Sequence, residues 1–373
     1  MRVGIDVRCL MESRYSGISE YTYNLLSHLF RIDQQNQYFL FYNSSKQPRV
    51  PRFDFSNVTY REFKYPNRLF NLSLRFLKLT TIDKLVGGVD VFITPNFLFT
   101  NLSPSVRKIM IVHDLTFEIY PEFFTAKKRL WHALIGPRQL CEKAQTVVAI
   151  SQNTRRDIEK IYKINPAKIK VIYQGINDIF FQPITAEQKN TVRQKYGLPD
   201  NYIFYLGNLE PRKNVESLLK AFEKTPDQSV NLVLAGSQAW KYQAIQKIWQ
   251  NSSSKKRVKF LGYVDAVDKP ALYSLAKFLV YPSIYEGFGL PPLEAQACGT
   301  PVITSFSSSL VEAIGDSGLL IDPNNITELT QVINHLLADD SLRQELASRG
   351  FKNAEKFHWE KTAAEILNLI NTP

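Results

Sequence analysis

The sequence predicts an α/β protein of two Rossmann-like, doubly wound domains facing a central cleft. Three observations carry that prediction. Apolar runs of strand length alternate with helix-length patterns from end to end, the signature of βαβ units and a parallel sheet. The 373 residues suffice for two domains of ordinary size. The alternation also starts afresh after residues 175–183, where Gly, Asn and Pro cluster as in a linker.

In the first half, Val3–Val7 reads as the opening strand and Ser19–Leu29 as the helix that follows. Further strands are expected at Tyr38–Tyr42, Val91–Thr94, Lys108–Val112, Thr146–Ile150 and Lys170–Tyr173. Ser151 is placed to cap a helix running through Thr154, Ile158 and Ile161, because its hydroxyl can accept a first-turn N–H. In the second half, strands are expected at Ile203–Leu206, Leu232–Ala235, Val258–Leu261, Phe278–Tyr281, Val302–Ile303 and Gly318–Ile321. Helices between them fall near Val215–Glu223, Pro270–Ala276 and Pro291–Cys298. The domains are set at 1–180 and 181–355, with a terminal helix over 356–373 whose apolar face packs back on the first domain. No fixed period recurs, which excludes a solenoid.

The formal net charge of +11 is unevenly placed: residues 1–180 carry 26 Lys/Arg against 15 Asp/Glu, and the remainder 20 against 20. An anionic partner is therefore expected at the first half. Nucleic acid is set aside, because no helix-turn-helix, zinc or RNP-like pattern occurs and the best-organised residues sit in the neutral half. Cys9, Cys141 and Cys298 are too scattered for a disulfide framework or a metal site. Asp6 interrupts any apolar signal core, and no run of about 18 apolar residues exists. The expectation is a cytoplasmic protein, membrane-associated on the cytoplasmic face.

The strongest chemical signal runs from Tyr281 to Gly299. An apolar strand ends at Tyr281, and a loop carrying Glu286, Gly287 and Gly289 follows. Pro291 or Pro292 then opens a helix that Gly299 closes. A strand, a glycine loop and a helix start present backbone N–H groups and a positive helix end, which suit phosphate. Glu294, expected in the first helical turn, can accept two hydrogen bonds from a ribose. A second cluster, Gly207-Asn-Leu-Glu210-Pro211-Arg212-Lys213-Asn214, follows a strand and precedes a helix that Asn214 can cap. Two cations at a helix N-terminus oppose the dipole and make sense when a polyanion fills the gap.

Together these segments resemble the retaining glycosyltransferases of family 4, which have the GT-B fold. Glu286 and Glu294, with seven residues between them, are similar to that family's E-x7-E motif. Arg212 and Lys213 lie in a stretch similar to its Glu-Pro-Arg-Lys-Asn subgroup. The resemblance implies transfer of a sugar from a nucleotide-diphosphate donor, bound by the second domain, to a glycan or lipid-linked acceptor. It implies that Arg212 and Lys213 hold the diphosphate and that Glu294 takes the ribose. Glu286 would lie beside the sugar, and Gly287, Phe288, Gly289 and Leu290 would touch phosphate and sugar. Gly207, Gly236, Gly262 and Tyr263 would line the donor and base pocket. In the first half, Ser16-Gly17-Ile18-Ser19-Glu20-Tyr21 looks like the family's glycine loop, and His113-Asp114 resembles its active-site histidine. Catalytic roles thus fall to Glu286, His113, Arg212 and Lys213. Two departures, Asn208 where many relatives have Arg and Val311 where many have Pro, leave the donor open among GDP- and UDP-sugars. The subgroup favours GDP-mannose.

Departure of a nucleoside diphosphate puts negative charge on the leaving phosphate, and preorganised cations stabilise it. No Asp-x-Asp occurs to hold a divalent ion, so no metal and no further cofactor are expected. Two readings from other classes are a non-catalytic sugar-nucleotide sensor and a nucleotide-sugar epimerase on the same fold.

A basic and aromatic stretch adds one more expectation. Leu69, Leu72, Phe76 and Leu79 recur at helical spacing with Arg68, Arg75 and Lys78 beside them, and Lys127, Lys128 and Arg129 neighbour Phe123, Phe124 and Trp131. Such segments suit an anionic membrane surface.

Overall fold

A computed structural model of the chain describes residues 1–12, 15–45, 48–77 and 80–372. The chain divides into two compact units, Met1–Gly175 with Trp359–Pro373, and Ile176–His358. The boundaries expected at 180/181 and 355/356 thus lie at 175/176 and 358/359. Ile176 donates its backbone N–H to Phe357 at 3.0 Å and bridges His358, so the two ends of the second unit are tied together.

The first unit is built on a seven-stranded, all-parallel sheet. Its strands are β1 (Arg2–Asp6), β2 (Gln37–Asn43), β3 (Val58–Phe63), β4 (Val91–Thr94), β5 (Arg107–Val112), β6 (Thr146–Ala149) and β7 (Ile169–Val171), in the order β3-β2-β1-β4-β5-β6-β7. Parallel strands covered on both faces read as apolar runs, and all four residues of β4 are buried. β3 escaped the sequence reading. It is an edge strand, Val-Thr-Tyr-Arg-Glu-Phe, with no fully buried residue and therefore no apolar run. Ser151 caps its helix as expected, its hydroxyl accepting from Thr154 N at 3.0 Å. The terminal helix Trp359–Asn371 packs on the helix Gly17–Ile32. Trp359, 2% exposed, meets the Tyr21 ring edge-on at 5.3 Å, and Thr362 donates to the Tyr173 carbonyl at 2.8 Å.

The second unit repeats the plan with six parallel strands: β8 (Tyr202–Leu206), β9 (Asn231–Ala235), β10 (Val258–Gly262), β11 (Leu279–Tyr281), β12 (Val302–Ser305) and β13 (Leu319–Ile321). The order is β10-β9-β8-β11-β12-β13. In both sheets the order reverses once, between β1 and β4 and between β8 and β11. Open α/β sheets bind ligands outside the carboxyl ends of the strands at that reversal. Among the described residues no helix is long and apolar enough to cross a membrane.

Candidate active site

The loops that leave β8 and β11 carry the two segments singled out in the sequence, and the reversal makes these strands neighbours. Ile284 N donates to Arg212 O at 2.9 Å and locks one loop to the other. Arg212 then reaches Glu286: its Nη1 donates to Oε2 at 2.7 Å and to the Tyr285 carbonyl at 2.8 Å. Its Nε and Nη2 hold Glu210 at 3.2 and 3.0 Å. Lys213 Nζ donates to Glu286 Oε1 at 2.6 Å and to the Tyr281 hydroxyl. Tyr281 and Ser283 donate to the same carboxylate oxygen at 3.0 and 2.5 Å. The backbone is fixed as well, with Glu286 N donating to Ser308 Oγ and Ser309 Oγ donating to Glu286 O, both at 2.8 Å.

Glu286 is thus a buried, multiply held carboxylate. Burial raises its pKa, but the Arg212 and Lys213 charges and the hydrogen bonds outweigh burial and bring it down to about 2. Lys213 moves the other way from the usual lysine: burial, with Arg212 adding to it, holds its ammonium below 10.5, and Glu286 opposes that fall.

These contacts revise the electrostatic expectation. The two cations are met within the chain by Glu210 and Glu286, so a bound polyanion is not what first offsets them. Asn214 is also not a side-chain cap. It adopts φ 56°, and its amide donates to Pro323 O at 2.7 Å instead. Tyr281, Ser283 and Ser309, which complete the cage around Glu286, were missed by sequence reasoning. They read as a strand end and ordinary loop serines, and only the register of β11 beside β8 gives them a role.

The helix after the glycine loop runs Leu290–Ala297, with Gly289 as its cap at φ 111° and Gly299 just beyond its end. Glu294 consequently sits in the second turn, not the first. It is buried, and one oxygen accepts from the Tyr273 hydroxyl at 2.8 Å. Gly287 and Phe288 are buried, Phe288 against Phe357, and Leu290 is half-buried. On the other side of β8, Gly207, Gly236 and Gly262 end three adjacent strands. Gly236 donates to Gly262 O at 2.7 Å, and a Cβ on Gly236 would stand 1.9 Å from Gly207 O. No other residue permits that approach. Tyr263, next in line, is exposed.

Two candidates lie in the first unit. Gly17 begins the helix Gly17–Ile32, which Ser16 caps by accepting from Ser19 N. Among the described residues nothing stands within 4 Å of a Cβ placed on Gly17, and its φ is ordinary. The packing of the described residues gives no reason for a glycine there. His113 follows β5, the ring half-buried and edge-on to Tyr21 at 4.8 Å. Its Nε2 lies 2.8 Å from the Pro95 carbonyl, which can only accept, so Nε2 carries the proton and Nδ1 is the acceptor of the neutral ring. Burial holds its pKa below 6.5, against smaller opposing contributions from Pro95 and Asp114.

Residues 15–179 match the model of Glycosyltransferase Family 4, and residues 188–353 match that of Glycosyl transferases group 1. The chain is 32% identical over 266 residues to O-antigen chain mannosyltransferase B of Escherichia coli, covering 70% of this chain and 69% of that one. The chain belongs to glycosyltransferase family 4. This glycosyltransferase is also 30% identical over 263 residues to the serotype-specific mannosyltransferase WbdA of Escherichia coli, where the match spans 69% of this chain and 32% of the longer protein. Its fold is that of Anabaena Alr3699/HepE, solved in complex with UDP and glucose, with a TM-score of 0.74, 20% identity and coverage of 99% of both chains. The two parallel-sheet, Rossmann-like units are those of the GT-B glycosyltransferases. Membership implies a nucleotide-sugar donor and a glycan acceptor.

Proposed function

We propose that this glycosyltransferase moves mannose from GDP-mannose to a glycan or lipid-linked acceptor, with retention of configuration and without a metal ion. One observation carries the reading: Arg212 and Lys213 converge on Glu286 beside a glycine loop, at the carboxyl ends of β8 and β11. Similarity to two mannosyltransferases and the Glu210-Pro211-Arg212-Lys213-Asn214 segment support mannose. The two cations take the role a divalent ion has in other transferases, stabilising charge on the departing diphosphate. Gly207, Gly236, Gly262 and Tyr263 border the base, Glu294 serves the ribose, and Gly287, Phe288, Gly289 and Leu290 approach phosphate and sugar. In the first unit, Gly17 admits the phosphates closely, and neutral His113 accepts from a donor-sugar hydroxyl.

Glu286 orients and does not attack. One of its oxygens already accepts from Lys213, Tyr281 and Ser283, and its low pKa marks a weakly nucleophilic carboxylate. The acceptor then attacks from the side the diphosphate leaves. The test is turnover of GDP-mannose with and without chelator, followed by NMR of the product's anomeric centre. A trapped mannosyl-Glu286, loss of activity with EDTA, or preference for a UDP-sugar each overturns the corresponding part.

Membrane association is the second element of the proposal. The helix Asn67–Leu72 and the π-helical turn Ser73–Leu77 stand against the helix Ala126–Ile135, because Arg75 donates to Leu134 O at 2.7 Å. Together they expose Leu69, Phe76, Leu77, Leu130 and Trp131, the first of these 65% accessible. Arg68, Lys127, Lys128 and Arg129 are exposed on the same elements. Lys78 and Leu79 lie outside the described residues. Apolar side chains within a basic rim match an anionic bilayer. Co-sedimentation with anionic vesicles at low salt tests it, and no binding rejects it.

A further inference from the structure

A cavity of about 330 Å³ opens in the first unit beside β4, β5 and the helix Pro137–Lys143. That is the lower end of the range, about 300–1,000 Å³, in which small ligands are held. Its walls include Leu102, Ile109, Met110 and Leu140, and two cations, Lys108 and Lys143, also line it. Among the described residues neither ammonium has an ion-pair partner. Lys143 is exposed and Lys108 half-buried. Burial lowers the Lys108 pKa, Asp83 opposes that fall and Lys143 adds to it, so the two lysines repel one another across the site. Asp83 offsets part of this cost at Lys108, and an anion between the two lysines would offset their mutual repulsion. No residue assigned to sugar transfer lines the cavity. Lys108 lies five residues before His113 on β5, roughly 16 Å along the strand.

A smaller neighbouring cavity shares Thr100, Asn101, Leu140 and Lys143 with the first and adds Leu74 and Arg75. Arg75 is the residue that joins the two elements of the exposed apolar surface. The smaller cavity thus lies between the hollow and the exposed apolar surface for which membrane association is proposed.

We propose that this cavity binds an amphiphile with a phosphate head and an alkyl chain, drawn from an anionic bilayer. The chain lies among Leu102, Ile109, Met110 and Leu140, and the phosphate bridges Lys108 and Lys143. The bilayer as the source of the amphiphile rests on the membrane association proposed above, and the inference does not rest on the donor or on the sugar transferred.

Calorimetric titration with octyl phosphate below its micelle concentration tests it. One saturable site is expected. Inorganic phosphate and uncharged octyl glucoside should each bind at least about tenfold more weakly, since each lacks half of the recognition. Lys108→Gln with Lys143→Gln, at half-exposed and exposed positions, should weaken octyl phosphate by at least about tenfold with the melting curve unchanged. Ala144→Leu, which fills the cavity from its wall, should do the same through the chain. Vesicles containing phosphatidic acid should compete with octyl phosphate, and phosphatidylcholine vesicles should not. Equal affinity for inorganic phosphate, or unaltered binding in both variants, overturns the site. Absence of competition by phosphatidic acid overturns a bilayer lipid as its occupant.

Discussion

Glu286→Gln keeps the outline of the side chain and deletes the charge on which Arg212 and Lys213 converge. The folded carboxylate is held at about 2 against an ordinary 4.5. Each pKa unit is worth about 1.4 kcal/mol, so the charge contributes about 3 kcal/mol to folding at neutral pH. The same figure follows from breaking one side of a buried ion pair, about 3–5 kcal/mol. The sign is that of a depressed acid. The contribution is complete above pH 4.5 and is lost as pH falls through 2. Urea unfolding at pH 7 should therefore show Glu286→Gln less stable by about 3 kcal/mol, and at pH 3 that gap should shrink by more than half. Adding Lys213→Met to Glu286→Gln removes the cation left unpaired and should restore much of the loss, because a buried pair exchanged for neutral groups is close to neutral in stability. Turnover should not return with it. The double variant still lacks a charge on the diphosphate, at a cost of about 10²–10³ in kcat. Equal stability of wild type and Glu286→Gln at pH 7, or a gap that does not change at pH 3, would refute the reasoning. Restored turnover in the double variant would refute the role assigned to Lys213.

Three further outcomes are expected. Gly17→Ala should leave the urea midpoint unchanged or slightly raised, because its Cβ meets nothing within 4 Å among the described residues, while kcat/KM for the nucleotide sugar falls at least about tenfold from the lost close approach; unchanged kinetics would remove Gly17 from the site. Asn214→Ala should cost about 2 kcal/mol in denaturant unfolding, about half from forcing Ala to φ 56° and half from losing the bond to Pro323 O. Asn214→Gly should cost only the latter half, and equal costs would contradict the conformational part. His113 should titrate by NMR below 6.5, since burial disfavours its cation. Its contribution to stability is then complete above 6.5 and lost as pH falls, and kcat/KM should be level from pH 7 to 8 before declining in acid; a midpoint at or above 6.5 would contradict the desolvated, neutral ring.

Much of the fold is legible in the sequence, because a parallel sheet covered on both faces demands continuous apolar runs and its helices demand periodic ones. Val91–Thr94 and Val215–Glu223 coincide with the observed elements, and most other strands shift by a residue or two. β3 fails for the same reason: at an edge, with Arg61 and Glu62 tolerated, no apolar run is required. The two glycine segments and their charges were equally visible. What linear order could not convey is that Arg212 and Glu286, 74 residues apart, are partners. Strand order places β11 against β8, and that adjacency converts two basic residues, expected to await an anion, into a cage closed by Tyr281 and Ser283. The sequence alone determined which groups are candidates to carry the chemistry. Tertiary structure decided which charges are neutralised and which backbone positions must be glycine, because burial and close approach depend on what the fold brings alongside.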